Sequence, residues 1–450
     1  MVCFLIKMDG IIVGLNGLHK VLKVDRNREL NFSLFHYKLR QKINRIIKDS
    51  LSLLHNFQKI MHNIFDNTQV AFSLKSDTEL DRAYFLFKLI NNEPLVRIGT
   101  AVTNFALKAH LPVEGLIRAS VFDHFCGGIS EDDCISVIDK MYSKGVSSVL
   151  DYSVEGKEDE EQFDSATQKI LKLIEFAKEK EAIPFGVFKP TGFGRIDLYE
   201  KVGAKATLSP YEQEEWNRVV ARYDAVCQLA HDKNVPLLID AEESWMQDAA
   251  DDLVTQMMQK YNKEKAIVFN TLQLYRWDRL DYLKELHTLA EKEGFYIGMK
   301  LVRGAYMEKE HARAEEKGYP TPICATKQES DDNYDATVRY MVEHLDTMAV
   351  FAGTHNELSS YKLMELMAEK GIAKNDPRIW FGQLYGMSDN ISFNLASNGY
   401  NIAKYLPFGP VRDVMPYLIR RAEENTSVAG QTSRELMLIT KERKRRKIED

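Results

Sequence analysis

The sequence predicts an α/β protein whose main body is a (βα)8 barrel of the TIM type, preceded by a helical N-terminal arm. Two observations carry this expectation. From Ser130 onward, short β-branched or apolar runs alternate with longer helical patterns, and eight such units fill residues 131–432. That alternation marks a parallel sheet wrapped by helices, and eight units suffice to close a barrel. The rival architecture, a doubly wound open sheet, needs a glycine fingerprint after a strand; Gly192-Phe193-Gly194 lacks the third glycine.

At 450 residues the chain is long enough for one large domain with appendages. Its net charge of -6 gives no global basic field for nucleic acid. Five cysteines (Cys3, Cys126, Cys134, Cys227, Cys324) are scattered and never form a CxxC, which suits a reducing compartment better than a disulfide framework or zinc knuckle. No apolar run approaches the ~20 residues of a membrane span.

Residues 1–60 form a basic extension: within 1–50, ten Lys/Arg stand against four Asp/Glu. This is the composition of a transit peptide, or of an upstream stretch ahead of a start at Met61. Residues 61–130 are read as the helical arm. Leu80, Tyr84, Phe87 and Ile90 recur at helical spacing, Val102, Phe105 and Ala109 suggest another helix, and Leu116 with Ala119 a third, ending at Gly127-Gly128. Residues 433–450, ending KERKRRKIED, read as a solvated basic tail, with contact to acidic lipid headgroups as the alternative.

The expected strands are Ser147–Tyr152, Phe185–Phe188, Pro236–Ile239, Ile267–Thr271, Tyr296–Val302, Met348–Gly353, Ile379–Leu384 and Ile402–Leu406. Helical intervals fall at 161–181, 210–233, 244–262, 277–293, 333–346, 357–372 and 413–425. In such a barrel the chemistry sits at the C-terminal strand ends. Those ends carry Lys189, Asp240, Gln273, Lys300 with Arg303, Thr354-His355-Asn356, Leu384 and Tyr405. Any one of them has an ordinary explanation, such as a rim charge or a helix cap; seven in succession do not.

The segment YLPFGPVRDVMPYLIRRAEEN (Tyr405–Asn425) organises the rest. The strand is expected to break at Pro407, Gly409 and Pro410, and a helix to start near Asp413 as N-cap with Pro416 in its first turn. Tyr417, Arg420, Arg421 and Glu424 then share one helix face. Two guanidiniums beneath a strand-end tyrosine suit a small carboxylate; a solvated face with an Arg–Glu pair is the plainer reading of the same spacing.

Metal chemistry has little support: there is no HExxH, and His311 with Glu315 lies in the charge-rich stretch MEKEHARAEEKG, read as a solvated helix. No GxSxG elbow offers a nucleophile. A Schiff-base lyase stays open on chemistry, with Lys189 or Lys300 as the amine.

The motifs LLIDAEES, KLVRGAYM, GTHN, GQLYGM and YLPFGPVRDVMPYLIRRAEEN resemble those of the proline dehydrogenase family of flavoenzymes, in that family's order, from roughly residue 70 to 430. The resemblance implies a distorted (βα)8 barrel holding FAD at its C-terminal face, and oxidation of L-proline to Δ1-pyrroline-5-carboxylate by hydride transfer to flavin N5. It implies that Arg420, Arg421 and Lys189 hold the substrate carboxylate, with Glu424 paired to that cluster. Tyr405, Leu384 and Tyr306 would wall the pyrrolidine ring, with Asp240 among them. Gln273, Lys300, Arg303, Gly304, Ala305, Thr354 and His355 would line the FAD, with Lys327 reaching its phosphates. Gly304-Ala305 would let backbone approach the isoalloxazine closely. Two departures touch the flavin: Lys300 and Met307 stand where many members carry Arg and Trp.

The resemblance also implies a membrane quinone as electron acceptor, reached by peripheral contact, and a separate pyrroline-5-carboxylate dehydrogenase downstream. The expected location is the cytoplasm at the inner membrane, with the mitochondrial matrix as the alternative suggested by the basic start. The readings to be distinguished are an FAD-dependent proline dehydrogenase, the Schiff-base lyase, and a non-catalytic proline-binding barrel.

Overall fold

The apolar runs that read as strands are buried on both faces, as a parallel sheet covered by helices requires. β1 (Ser147–Tyr152), β2 (Gly186–Phe188), β3 (Leu237–Ile239), β4 (Val268–Gln273), β5 (Ile297–Val302), β6 (Met348–Gly353), β7 (Ile379–Leu384) and β8 (Ile402–Phe408) form one sheet. Its order is β1-β8-β7-β6-β5-β4-β3-β2, and every pairing is parallel. The structure, a computed structural model, describes residues 63–90, 94, 99, 114–153, 159–427 and 431–448. The side chains of 116, 119, 120, 421–427, 431 and 432 are not among those described. The chain divides into Met1–Asn63 and Ile64–Asp450, and all that follows concerns the second unit. The expected basic extension and the helix around Val102, Phe105 and Ala109 lie outside the described residues.

β8 pairs with β1 from Ser147↔Ala403 to Tyr152↔Phe408, so the sheet curls round on itself. The remaining seam, between β1 and β2, is joined by the bridge Val149↔Phe185 and by the Ser148 N–H donating to Ala182 O at 2.8 Å. β2 and β3 are three residues long, which leaves the barrel nearly closed rather than fully laced. Its interior is filled by Val149, Phe185, Val187, Leu238, Phe269, Phe351 and Tyr405. Phe185 meets Phe269, Phe351 and Trp380 edge-on at 5.8, 5.2 and 5.3 Å between ring centres, the arrangement favoured by the aromatic quadrupole. Gly382 makes room for this plug, since a Cβ there would stand 2.2 Å from Phe351 Cε1.

Strand boundaries shift in ways that matter for the site. β4 extends to Gln273, so that side chain is held by the sheet rather than by a loop. β8 runs through Pro407 to Phe408 instead of breaking there. The β7 pairing has already ended at Leu384↔Tyr405, so β8 is an edge at Pro407, a position that tolerates the missing N–H. The following helix spans Val411–Ser427; Asp413 is in its first turn, not at its N-cap, and Pro416 lies inside it. An acid in the first turn still suits the positive end of the helix.

The arm is helical where it is described. Its helix Asp77–Ile90 starts at Ser76, whose N–H and Oγ bind Glu79 while Glu79 N–H donates back to Ser76 Oγ, a reciprocal cap. Gly127-Gly128 ends the arm against β8, with Gly127 N–H on Pro407 O at 2.9 Å and Gly128 bridged to Phe408. The tail expected to be solvated is instead a helix, Gln431–Arg446. Leu438 and Ile439 pack on Ala71, Phe72, Leu80, Ala83 and Phe87 of the arm. Arg446 donates to Phe72 O at 2.8 Å and Lys75 O at 2.7 Å. The run of basic residues concealed an apolar pair one turn earlier that had a partner waiting.

Candidate active site

A cavity of ≈ 560 Å³ opens at the C-terminal ends of the strands. Lys189, Asp240, Gln273, Lys300, Arg303, Gly304, Ala305, Tyr306, Lys327, Thr354, His355, Leu384, Tyr405 and Arg420 all line it. The strand-end reading therefore gathers into one place. Arg421 and Glu424 lie on the same helix as Arg420, and their side chains fall outside those described.

The floor is an ion lattice. Asp240, at the end of β3, accepts from the ammonium of Lys300 on β5, and Lys300 also donates to the Tyr405 hydroxyl at 3.1 Å. The other oxygen of Asp240 is 3.8 Å from the ammonium of Lys189. Lys189 in turn donates to Asp151 at 2.9 Å, and the Ser153 hydroxyl donates to the same carboxylate at 2.7 Å. Burial alone would raise the Asp151 pKa, but the Lys189 ammonium and these hydrogen bonds hold it below the usual carboxylate range. Burial, with the Asp240 and Asp151 carboxylates nearby, pushes the Tyr405 phenol well above its ordinary value, so it stays neutral. Both lysines are thus tied to carboxylates in the floor of the cavity.

The opposite wall is set by Arg303. Its guanidinium donates to Asp331 at 2.6 Å, Thr354 Oγ1 at 3.0 Å and Ser359 Oγ at 2.9 Å, and lies 4.5 Å over the Tyr334 ring. Lys327, largely exposed, reaches the second oxygen of Asp331 at 2.6 Å. His355 bonds Ser388 Oγ through Nδ1 at 2.9 Å, and its Nε2 accepts from the Leu384 N–H at 3.4 Å. Gly304 has φ +133, and a Cβ there would stand 2.3 Å from Tyr275 Cε1. Glycine is therefore required at this position by Tyr275 and by its own backbone, whatever ligand approaches.

Sequence reasoning passed over several residues of the site. Asp151 is the one acid in the strand SSVLDY and could have been found by treating the end of β1 like the other ends. Glu242 accepts from Thr191 N–H at 2.9 Å and Thr191 Oγ1 at 2.8 Å, fixing the turn after Lys189. Its backbone oxygen accepts from Gln273 Nε2 at 2.7 Å. Burial raises its pKa to about 7. Arg434 and Glu435, from the presumed tail, also line the cavity.

Two features fit an anionic, hydrogen-bonding ligand. Six lining cations (Lys189, Lys300, Arg303, Lys327, Arg420, Arg434) outnumber four lining carboxylates (Asp151, Asp240, Glu357, Glu435) in a chain whose net charge is -6. Gln273 Oε1 is buried at the wall without a hydrogen-bond partner among the described residues, a cost of roughly 1–3 kcal/mol that a ligand N–H or O–H would relieve. Among the described residues no cluster of three or more His, Cys, Asp or Glu is arranged to hold a metal ion.

Residues 134–434 match the family described as Proline dehydrogenase. The chain belongs to the proline dehydrogenase family. A Dictyostelium discoideum protein, proline dehydrogenase 1, mitochondrial, is 31% identical over 426 residues, covering 84% of this chain and 74% of that protein. The human protein of the same name is 41% identical over 245 residues, covering 53% and 41%. The carbapenem antibiotics biosynthesis protein CarD of Pectobacterium carotovorum subsp. carotovorum is 36% identical over 351 residues, covering 78% and 91%. Among solved structures, proline utilization A from Bdellovibrio bacteriovorus, inactivated by N-propargylglycine, superposes with a TM-score of 0.65 at 20% identity. It covers 83% of this chain, which spans 42% of that larger protein, and the likeness is one of fold. This proline dehydrogenase family member is thus an oxidoreductase on an α/β barrel.

Proposed function

We propose that this protein is an FAD-dependent L-proline dehydrogenase that forms Δ1-pyrroline-5-carboxylate. The observation that carries the reading is the Asp240–Lys300–Tyr405 cluster, which shares one cavity with Lys189 and Arg420. FAD, when bound, supplies at N5 the acceptor for the hydride leaving the proline ring carbon beside nitrogen.

The chain's own residues bind and orient the substrate. The charges of Lys189 and Lys300 are matched by Asp151 and Asp240, and Arg420 adds a guanidinium to the same cavity for the substrate carboxylate. The family resemblance assigns Arg421 and Glu424, on the same helix, to that carboxylate-binding group. Tyr405, Leu384 and Tyr306 wall the ring and exclude water. Asp240 holds Lys300 and so fixes the position of its ammonium in the floor of the cavity. On the cofactor side, Gln273 Oε1 offers an acceptor to a ring N–H. Arg303 and Lys327 supply positive charge for a diphosphate, with Gly304, Ala305, Thr354 and His355 as walls.

The electrons then pass to a membrane quinone, and a separate pyrroline-5-carboxylate dehydrogenase takes the product onward. Peripheral contact with a membrane is supported by Phe85 and Leu89, 63% and 37% exposed and one turn apart on the arm helix that packs along the basic helix Gln431–Arg446. Among the described residues no helix is long and apolar enough to cross a membrane. The proposed location is the cytoplasmic face of an inner membrane, with the mitochondrial matrix as the alternative.

The test is an absorption spectrum of the purified protein before and after anaerobic L-proline. Flavin bands that bleach with proline are expected. A flavin that proline leaves oxidised would overturn the substrate, and a protein unable to take up FAD would overturn the cofactor.

A further inference from the structure

The loop Leu384–Asp389 after β7 is gripped from three sides. From β8, Lys404, fully buried, donates to Met387 O at 2.6 Å and pairs with Asp389 at 2.8 Å. From the arm, Lys75 pairs with Asp389 at 3.2 Å. From the C-terminal helix, the buried carboxylate of Glu435 accepts from the Ser388 N–H. Ser388 is a non-glycine residue at φ 50, a conformation that persists only where the surroundings enforce it. Its Oγ meets His355 Nδ1 at 2.9 Å, while His355 Nε2 accepts from Leu384 N–H. An acceptor role at Nε2 leaves the ring proton on Nδ1, donated to Ser388. Next to Glu435, Arg434 lines the same wall, tied to Glu357 at 2.8 Å and to Asp66 of the arm at 2.5 Å.

Lys75 and Glu435 lie outside residues 134–434, the segment that matches the family. We infer that the C-terminal helix is a working part of the site: Glu435 is a positioning residue that, through Ser388, fixes the orientation and tautomer of His355 on the cofactor wall. The groups facing Glu435 are Asp389, Lys404 and Lys75 with the Ser388 N–H, so the cluster is neutral when both acids are ionised. A cluster of this kind is costly to leave half-paired. It also explains why the tail folds back onto the barrel rather than remaining solvated. The inference rests on the flavin reading only for the identity of the ligand at that wall.

The experiment uses the full chain with Glu435→Ala, Glu435→Gln and, as a control on the same helix, Met437→Ala, a half-exposed position. FAD affinity is read by titrating flavin-free protein, and the His355 tautomer by long-range proton–nitrogen correlation. Glu435→Ala is expected to weaken FAD about tenfold, equivalent to about 1.4 kcal/mol, and to mix the His355 tautomers. Glu435→Gln, which keeps an acceptor oxygen for Ser388, should stay within about threefold of wild type. Wild-type FAD affinity and His355 signals in Glu435→Ala would overturn the inference, as would an equal loss in Met437→Ala. If the wild-type protein takes up no FAD, the flavin reading fails while the His355 signal still decides the positioning role. If Glu435→Ala does not fold, Ser388→Gly removes the Oγ but keeps the backbone accessible, and the same two readouts apply.

Discussion

Asp240 and Lys300 form an ion pair across the mouth of the barrel, and the Tyr405 hydroxyl stands 3.1 Å from the same ammonium. The pair is buried, with Lys300 5% exposed. Removing the charge of one member leaves the other poorly compensated. Asp240→Asn should lower kcat/KM for L-proline by about 100-fold, near 2.7 kcal/mol. Anaerobic stopped-flow reduction checks this; a wild-type rate would remove Asp240 from the mechanism.

On the proposed reading, Tyr405 limits the size of the substrate pocket. Its ring lies against Phe351 at 5.9 Å and under the Lys300 ammonium at 4.8 Å, which fixes its position at the cavity wall. L-proline should be strongly preferred over trans-4-hydroxy-L-proline, and Tyr405→Ser should narrow that preference by about tenfold or more. Comparable kcat/KM values for the two substrates in the wild-type protein would contradict this.

Hydride leaves more readily from an unprotonated amine than from an ammonium. The lining charges favour the neutral amine weakly at best, so the rate of proline oxidation should rise toward alkaline pH. A profile flat across roughly pH 6 to 9 would count against it.

Glu242 links stability to pH. Burial raises its pKa to about 7 in the folded protein from an unfolded value near 4.5. The folded state then binds more protons between those values, so this group subtracts stability as pH rises from about 4.5 through about 7. The full effect is of order 3 kcal/mol. His124, buried and held neutral down to about 3, works the opposite way below its usual 6.5. The informative quantity is therefore the difference between Glu242→Gln and wild type: the variant should gain on the wild type between pH 5 and pH 8 in urea unfolding. Parallel stability profiles would show that Glu242 is ionised throughout.

Gly382→Ala places a methyl 2.2 Å from the Phe351 ring, which is fully buried. Overpacking of this kind costs about 1–3 kcal/mol, and Phe351 carries the strain to Tyr405. A lower urea midpoint together with a raised KM for proline is expected. An unchanged midpoint would mean that the aromatic plug has room to shift.

The strand ends were legible because a parallel barrel imposes one rule on all of them. Lys189, Asp240, Gln273, Lys300, His355, Leu384 and Tyr405 each follow a short apolar run, and each reaches the same cavity. Asp151 was missed although its strand was read correctly, because an acid amid Ser147–Tyr152 interrupts the apolar signal that defines the run. Glu242 was hidden by its neighbours: in DAEES every acid looks like a helix cap, and only the fold shows that its carboxylate turns back to Thr191. The C-terminal helix was misjudged because Arg443–Arg446 dominate its last turn, while Leu438 and Ile439 owe their burial to an arm more than 340 positions earlier. Local periodicity carries no information about such a partner.

The seam between β1 and β2 gives the ion lattice a second role. Asp151 ends one of these strands and Lys189 follows the other, and their 2.9 Å contact spans the place where the backbone ladder is thinnest. The same ammonium faces the cavity. A ligand carboxylate that draws Lys189 toward itself therefore tugs on a stitch of the barrel wall. In this protein the fit of a small molecule and the tightness of the cylinder around it are felt by one side chain.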